Sequence, residues 1–453
     1  MSDKIDINSS DSTKIYHSFN KRIKYLQTIR HEIKKSRILF NETRERFGLD
    51  ELSQLVKVKN TSEIKGYPFK GYKKSYNKIT RGIKFGLKVV PIETKYDKLE
   101  HPCNLESIVL KYLTDNIVIK NISPHLVYYL GTQKVSNKSK SLKMLNLKRL
   151  EVDGSIRTHS NMLISEYVDG GSLDNWIYNT YENDKEIEDD QWKNIVFQLI
   201  YTIAIIQKYY KMMHNDFHYG NILIDTSIKP GGYLVYQICG ITYYLKNTGI
   251  IPRLWDFEFC MVYSDKIPEA YPNKFILGPY KYDRKLHKTI ITDEEMDNLS
   301  DSELNVPFTY NEVYDVHYFL TSLLDLYISQ ELFDWIIELY PRELIPDDTD
   351  STASSSSNSR SNSRSNSSSN SSSGSGSSLD SFTNSETETK STVSNKNTDD
   401  NKYLLEGRLI NGANDVFQLP TPLELLKQKF FEPFTVKPDD FDEKTAIFFN
   451  AGF

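Results

Sequence analysis

Met213-His214-Asn215-Asp216-Phe217-His218-Tyr219-Gly220-Asn221-Ile222-Leu223-Ile224 is the stretch on which the reading of this chain turns. It has the form H-x-D-x-x-x-x-N and runs directly into three aliphatic residues. Such a run reads as a short buried strand that anchors the polar loop before it in a core. A second juncture of apolar strand and acid lies downstream, at Leu254-Trp255-Asp256-Phe257-Glu258. Upstream, Phe85-Gly86-Leu87-Lys88-Val89-Val90-Pro91-Ile92 places one lysine inside a strand pattern, and Glu106 follows in a helical one. Taken alone, a lysine so placed is usually an edge residue with its head in solvent.

Working outward, residues from about Glu63 to Ile92 are strand-like, Leu105 to Leu113 helical, and His125 to Leu130 and Met162 to Val168 strand candidates. Gln191 to Tyr210 reads as a long buried helix, and further helices are expected around Tyr314 to Ile328, Leu332 to Leu339 and Pro422 to Phe431. Strands with one helix, followed mostly by helices, predict an α+β protein with a small sheet lobe joined to a larger helical one. In front stands a basic helix over about Lys14 to Phe47, with apolar residues Tyr16, Phe19, Ile23, Leu26, Ile29 and Ile33 at helical spacing. It reads either as an arm packed on the following domain or as a membrane-surface or partner helix. From Asp347 to Asp400 the chain is nearly all Ser, Asn, Thr and charge, too poor in apolar surface to offset the entropy of ordering, so a disordered insertion is expected.

Hydrophobic residues make up 38% of the 453, enough for an ordinary globular interior outside that tract. A net charge of −5 argues against nucleic-acid binding by bulk electrostatics. Cys103, Cys239 and Cys260 are scattered without C-x-x-C spacing, which fits a reducing compartment and no zinc site. A polar Met1 to Ser12 and the lack of any run of 18 apolar residues predict neither signal peptide nor membrane span, hence a soluble, cytoplasmic protein.

The loop at Asp216 resembles the catalytic loop of the protein-kinase superfamily, with the same interval from Asp to Asn. The resemblance runs in family order from about Gly66 to Phe431. It implies a bilobal fold with a β-rich N lobe over 61–167 and a C lobe over 168–346 that resumes in 403–453, after an arm (1–60) and the insertion (347–402). It implies ATP and Mg2+ as cofactors and a protein substrate whose Ser or Thr accepts the phosphoryl group. Asp216 would be the base that orients the attacking hydroxyl, and Asn221 and Asp256 the magnesium ligands. Lys88 would hold the α- and β-phosphates with Glu106 as its ion-pair partner. Gly66-Tyr67-Pro68-Phe69-Lys70-Gly71 fits a glycine-rich phosphate loop with Pro68 in place of the middle Gly, and a plain turn equally well. Met162 to Leu173 resembles the hinge between lobes, where backbone groups of Glu166 and Val168 would meet the adenine edge. Tyr314-Asp315-Val316-His317 resembles the helix start whose Asp braces the catalytic loop.

Several positions depart from the common pattern. His218 stands where most Ser/Thr kinases carry Lys. This is closer to haspin-like kinases and to small-molecule phosphotransferases of the aminoglycoside and choline kinase type; the imidazole would contact the γ-phosphate or serve only the loop's structure. A long connection between Asn221 and Asp256, with a hairpin at Tyr233–Ile238 and Thr242–Leu245, favours the haspin-like branch and related kinases of large DNA viruses. Glu258 replaces the Gly of Asp-Phe-Gly. Asn215 replaces the Arg that pairs with a phosphorylated activation loop, which predicts activity without that phosphorylation. A small-molecule phosphotransferase and a pseudokinase scaffold remain as alternatives.

Overall fold

The computed structural model describes residues 19–36, 56–57, 67–73, 83–92, 101–136, 159–270, 272–273, 281–283, 285, 288–290, 307, 309–341, 404–405, 408–409 and 419–453. The fold is mixed helix and strand. Helix α1 (Phe19–Ser36) precedes β1 (Val56–Lys57), β2 (Tyr67–Lys73) and β3 (Ile83–Ile92); helix α2 (Pro102–Leu113) separates these from β4 (Tyr129–Ser136) and β5 (His159–Glu166). The five strands form one sheet in the order β1-β2-β3-β5-β4, every neighbour antiparallel. In β3, Phe85, Leu87, Lys88, Val89 and Val90 are all buried, so both faces of this central strand are covered. Its β-branched and aromatic residues suit that position.

Pro102 starts α2, where its missing N–H costs nothing, and the His101 ring caps the Cys103 amide. The helix ends in a π turn, Thr114–Val118, whose Thr114 hydroxyl accepts the Tyr129 amide and so ties α2 to β4.

After β5 the chain passes Gly170 and Gly171 into α3 (Leu173–Glu182) and α4 (Asp189–Tyr210). Nearly all of α4 is buried, and it stops at Lys211 in a left-handed conformation. Short strands follow: β6 (Met212–Met213), β7 (Ile222–Asp225), the hairpin β8 (Tyr233–Ile238) and β9 (Ile241–Lys246), β10 (Ile251–Leu254) and β11 (Met261–Val262). β7 pairs with β10 and β6 with β11, both antiparallel. The hairpin turns on Cys239 and Gly240, both at positive φ, as a two-residue loop between right-twisted strands requires. Helices α5 (Tyr314–Leu323), α6 (Gln330–Glu338) and α7 (Pro422–Leu425) follow, and the C-terminal strand Ile447–Asn450 adds in parallel to β8.

The basic helix is described only over Phe19–Ser36, and Phe19, Ile23, Leu26 and Ile29 are buried in the main core, so this face packs on the protein itself. Residues 125–128 are not a strand; they run beside β10 through the Leu126–Leu254 bridge, and the pairing begins at Tyr129. The expected helix to Phe431 is α-helical only to Leu425. A 3-10 segment, Lys429–Thr435, follows with Pro433 inside it, a residue that cannot donate the helical bond. Helix α3 and the C-terminal strand were not anticipated. The insertion from Asp347 to Asp400 lies outside the described residues. Among the described residues no helix is long and apolar enough to cross a membrane.

Candidate active site

Lys88 comes off the middle of the sheet, opposite Leu163 on β5 and Pro68 on β2. Its ammonium donates to Glu106 Oε2 at 3.0 Å, Asp256 Oδ1 at 2.7 Å and Glu258 Oε2 at 3.1 Å. α2 supplies Glu106, and the turn after β10 supplies the other two, with Asp256 at positive φ. Lys88 and Glu106 are almost wholly buried, while Asp256 is partly open. Burial works against the Lys88 charge, but Asp256, Glu106 and Glu258 together outweigh it and raise its pKa well above the ordinary value. Burial raises Glu106 above the usual carboxylate range, and Asp256 and Glu258 push the same way against the pull of Lys88. One oxygen from each carboxylate lies within 4.8 Å of the others, so three hard oxygen donors surround one cation position, now held by the ammonium.

The loop before β7 is fixed from several sides. Asp315, buried at the start of α5, accepts the backbone amides of His214 at 2.7 Å and Asn215 at 2.8 Å. The His214 Nδ1 accepts the Asp216 amide at 3.3 Å, which leaves Nε2 to donate to the Trp255 carbonyl at 2.9 Å. Burial lowers the His214 pKa to about 4, so the ring is neutral at pH 7. Asn221 Nδ2 lies 2.8 Å from both the carbonyl oxygen and Oδ2 of Asp216. Two acceptors facing one end of the amide fix which atom is nitrogen, so the Asn221 oxygen is the atom available to a cation. Trp255 donates its amide to the Asn221 carbonyl at 3.0 Å, which carries the connection on to Asp256 and Lys88.

The His218 Nδ1 accepts the Gly220 amide at 3.2 Å, so the neutral ring carries its proton on Nε2, 3.7 Å from Asp216 Oδ2. A Cβ on Gly220 would come within 2.7 Å of that ring.

Other candidates fall elsewhere. Gly66 lies outside the described residues. Gly71 is inside β2, paired with Phe85, and is not in a turn; Tyr67, Phe69 and Tyr72 give this segment strand character that outweighs its glycine spacing. The Glu166 amide donates to the Tyr128 carbonyl at 2.9 Å, and its carboxylate turns toward α1 rather than toward Lys88. Val168 is buried just beyond β5. Sequence reasoning treated Glu258 only as a missing glycine. A second carboxylate two residues after Asp256 was the available sign that it could share the same lysine.

No family model matches the sequence. The chain is similar to a protein of Acanthamoeba polyphaga mimivirus named as a serine/threonine-protein kinase, 25% identical over 53% of this chain and 52% of that protein. It is also similar to a protein of Dictyostelium discoideum with a name of the same kind, 39% identical over 17% of this chain and 6% of that protein. This chain therefore spans about half the length of the first relative and a small part of the second. These likenesses support a protein-kinase-like relationship.

Proposed function

We propose that this chain is a two-lobed protein kinase that transfers the γ-phosphoryl group of ATP to Ser or Thr hydroxyls of a protein. The observation that carries the reading is the Lys88 ammonium held by Glu106 and Asp256, one from α2 and one from the turn after β10. The five-stranded sheet with α2 is the small lobe, and the helices from α3 onward with the short strands are the large one. Lys88 holds the α- and β-phosphates while Glu106 keeps the ammonium in place. The hard oxygens of Asn221 and Asp256 suit magnesium, which when bound neutralises and orients the phosphates. Asp216, held by Asn221, orients the acceptor hydroxyl and takes its proton. His218 presents Nε2–H beside that carboxylate, where it can reach the transferring phosphate. The Glu166 carbonyl and the Val168 backbone take the adenine edge, the Glu166 amide being already given to Tyr128. Gly71 has no place in this scheme, since it is paired with Phe85 inside β2.

Labelled ATP, magnesium and a mixture of Ser-containing proteins test the reading. Wild-type protein labels the mixture, and Asp216→Asn keeps its melting temperature and labels nothing. Equal labelling by the variant overturns the assignment. The salt bridge from Glu258 to Lys88 favours a second reading, in which the ammonium is too well satisfied to serve a nucleotide and the chain is a pseudokinase scaffold. In that case ATP with magnesium leaves the melting temperature unmoved, since a ligand raises it only by binding the folded state. A metabolite panel in the same labelling assay distinguishes a small-molecule acceptor.

A further inference from the structure

Helix α1 carries an arginine on its buried face. Arg22 is 2% exposed, between Phe19 and Leu26 in the apolar stripe. Its Nη2 contacts Glu166 Oε2 at the end of β5, and its Nε lies 3.4 Å from Asp225 Oδ2 at the end of β7. Glu166 Oε1 also accepts the Tyr128 amide at 2.7 Å. Asp225 Oδ2 is shared with Arg253, which is fully buried and donates as well to the Pro124 carbonyl. Burial would raise the Asp225 carboxyl, but Arg253 and Arg22 hold it well below the usual range. Two arginines and two carboxylates thus form a neutral, buried cluster joining α1, the last residue of the sheet, and the β7–β10 pair behind the Asp216 loop.

The same helix reaches both parts of the molecule at other points. Arg30 forms a two-pronged pair with Asp115 in the π turn that ends α2, and the Phe19 ring packs edge-on against Phe449 of the C-terminal strand at 5.3 Å. A buried charge cluster contributes little net stability over apolar packing, but it accepts only one arrangement of its members. Glu166 begins the crossing from sheet to helices, so whatever fixes its side chain also fixes the main chain beside the adenine edge.

We propose that Arg22 is a positioning residue for the nucleotide site: acting through Glu166 and Asp225, it sets where the crossing after β5 lies relative to the Asp216 loop. This inference rests on the reading of the site as a nucleotide-binding kinase cleft. α1 is then part of the catalytic unit and not an appendage to it.

The test uses the full chain and three variants, Arg22→Lys, Arg22→Met and Arg22→Met with Glu166→Gln. Melting temperature, binding of ATP with magnesium, and the KM and kcat of phosphorylation are measured for each. Arg22→Met should raise the KM for ATP about tenfold while kcat at saturation stays within about twofold, with Arg22→Lys intermediate. The double variant removes the stranded carboxylate, so it should recover melting temperature but keep most of the KM defect. It also keeps the test usable if Arg22→Met alone fails to fold. An unchanged KM in Arg22→Met, or a KM restored together with stability in the double variant, makes the role purely structural and overturns the proposal. Wild-type protein that binds no ATP overturns both this inference and the kinase reading, whereas normal ATP binding in wild type and double variant alike overturns this one alone.

Discussion

The Asn215 side-chain amide donates to the Phe259 carbonyl at 3.0 Å, joining the residue before Asp216 directly to the segment after Asp256. Asn215 sits in the left-handed region, φ 64°, a conformation Asn tolerates better than most residues. In the proposed kinase this neutral bond does the job that a basic residue and a phosphorylated loop would otherwise share.

Phosphatase-treated protein should therefore keep its activity within about twofold of untreated protein, because no phosphate-dependent ion pair is needed to order the segment. Asn215→Gly keeps the backbone freedom but loses the donor, and should lower kcat without moving the KM for ATP. Activity that vanishes on phosphatase treatment contradicts the expectation. The comparison is made on one preparation, with phosphate content read by mass spectrometry.

Lys88→Met removes the cation from among three carboxylates, two of them buried. Breaking a buried pair in this way costs about 3–5 kcal/mol. The loss depends on pH with a definite sign. Lys88 pulls the buried Glu106 carboxyl down against its burial, so without the ammonium that carboxyl is raised further above its unfolded value and favours folding only while protonated. The stability deficit of Lys88→Met relative to wild type should thus grow as pH rises from 7 to 9, across the wild-type Glu106 value of about 8, as urea titrations at fixed pH will show. A deficit that shrinks over that range would falsify the cluster's role.

His317 is buried, with Nε2 donating to the Pro420 carbonyl at 2.9 Å and Nδ1 accepting the Tyr340 hydroxyl at 3.0 Å. Burial lowers its pKa from 6.5 to about 4. The unfolded chain thus binds a proton between those values that the folded chain refuses. Stability from this group is fully present above pH 6.5 and is lost as pH falls toward 4, by up to about 3 kcal/mol. His125, also buried and lowered, adds in the same direction. His317→Gln should flatten the fall in melting temperature between pH 6.5 and 4.5, and an equally steep profile in the variant would show that other groups control acid unfolding.

Gly170 donates its amide to the Ile224 carbonyl at 3.0 Å, and a Cβ at this position would lie 2.3 Å from that oxygen. Gly170→Ala must push the crossing segment away from β7. The expected cost is about 1–3 kcal/mol, together with weaker ATP binding, measured by thermal shift with and without nucleotide. A variant with wild-type stability and affinity would show that the two segments separate freely.

The parts of this architecture that sequence made legible share a physical character. The loop from His214 to Asn221 is contiguous and runs into an apolar strand, so local pattern alone placed it. Lys88 and Glu106 were readable because their order and interval match those of the family the chain resembles, although each element carries a second ionisable residue, Lys84 and Lys111. Asp315 could be read at the head of its helix for the same reason. What stayed hidden depends on contacts between distant segments. Within a stretch read as strand-like, Gly66 to Gly71 was left as either a glycine-rich loop or a plain turn because the two glycines carry the spacing, whereas pairing along β3 makes residues from Tyr67 onward a strand. Arg22 looked like one more cation on a basic helix, although it stands three residues after Phe19 and four before Leu26, on the face that packs. The C-terminal strand gave no local sign, since it declares itself only beside β8, and Glu258 offered only its spacing from Asp256.

The edge contact between Phe19 and Phe449 closes the chain on itself almost from one end of the sequence to the other. This core cannot close until the chain has been made as far as Phe449, and contacts of such long range make for slow folding. The Ser/Asn tract lies inside the circuit those two rings complete. Closure entropy rises only with the logarithm of length, so shortening that tract should quicken folding very little. Detaching either ring, by contrast, would leave the newly made protein open at its seam and exposed to proteases.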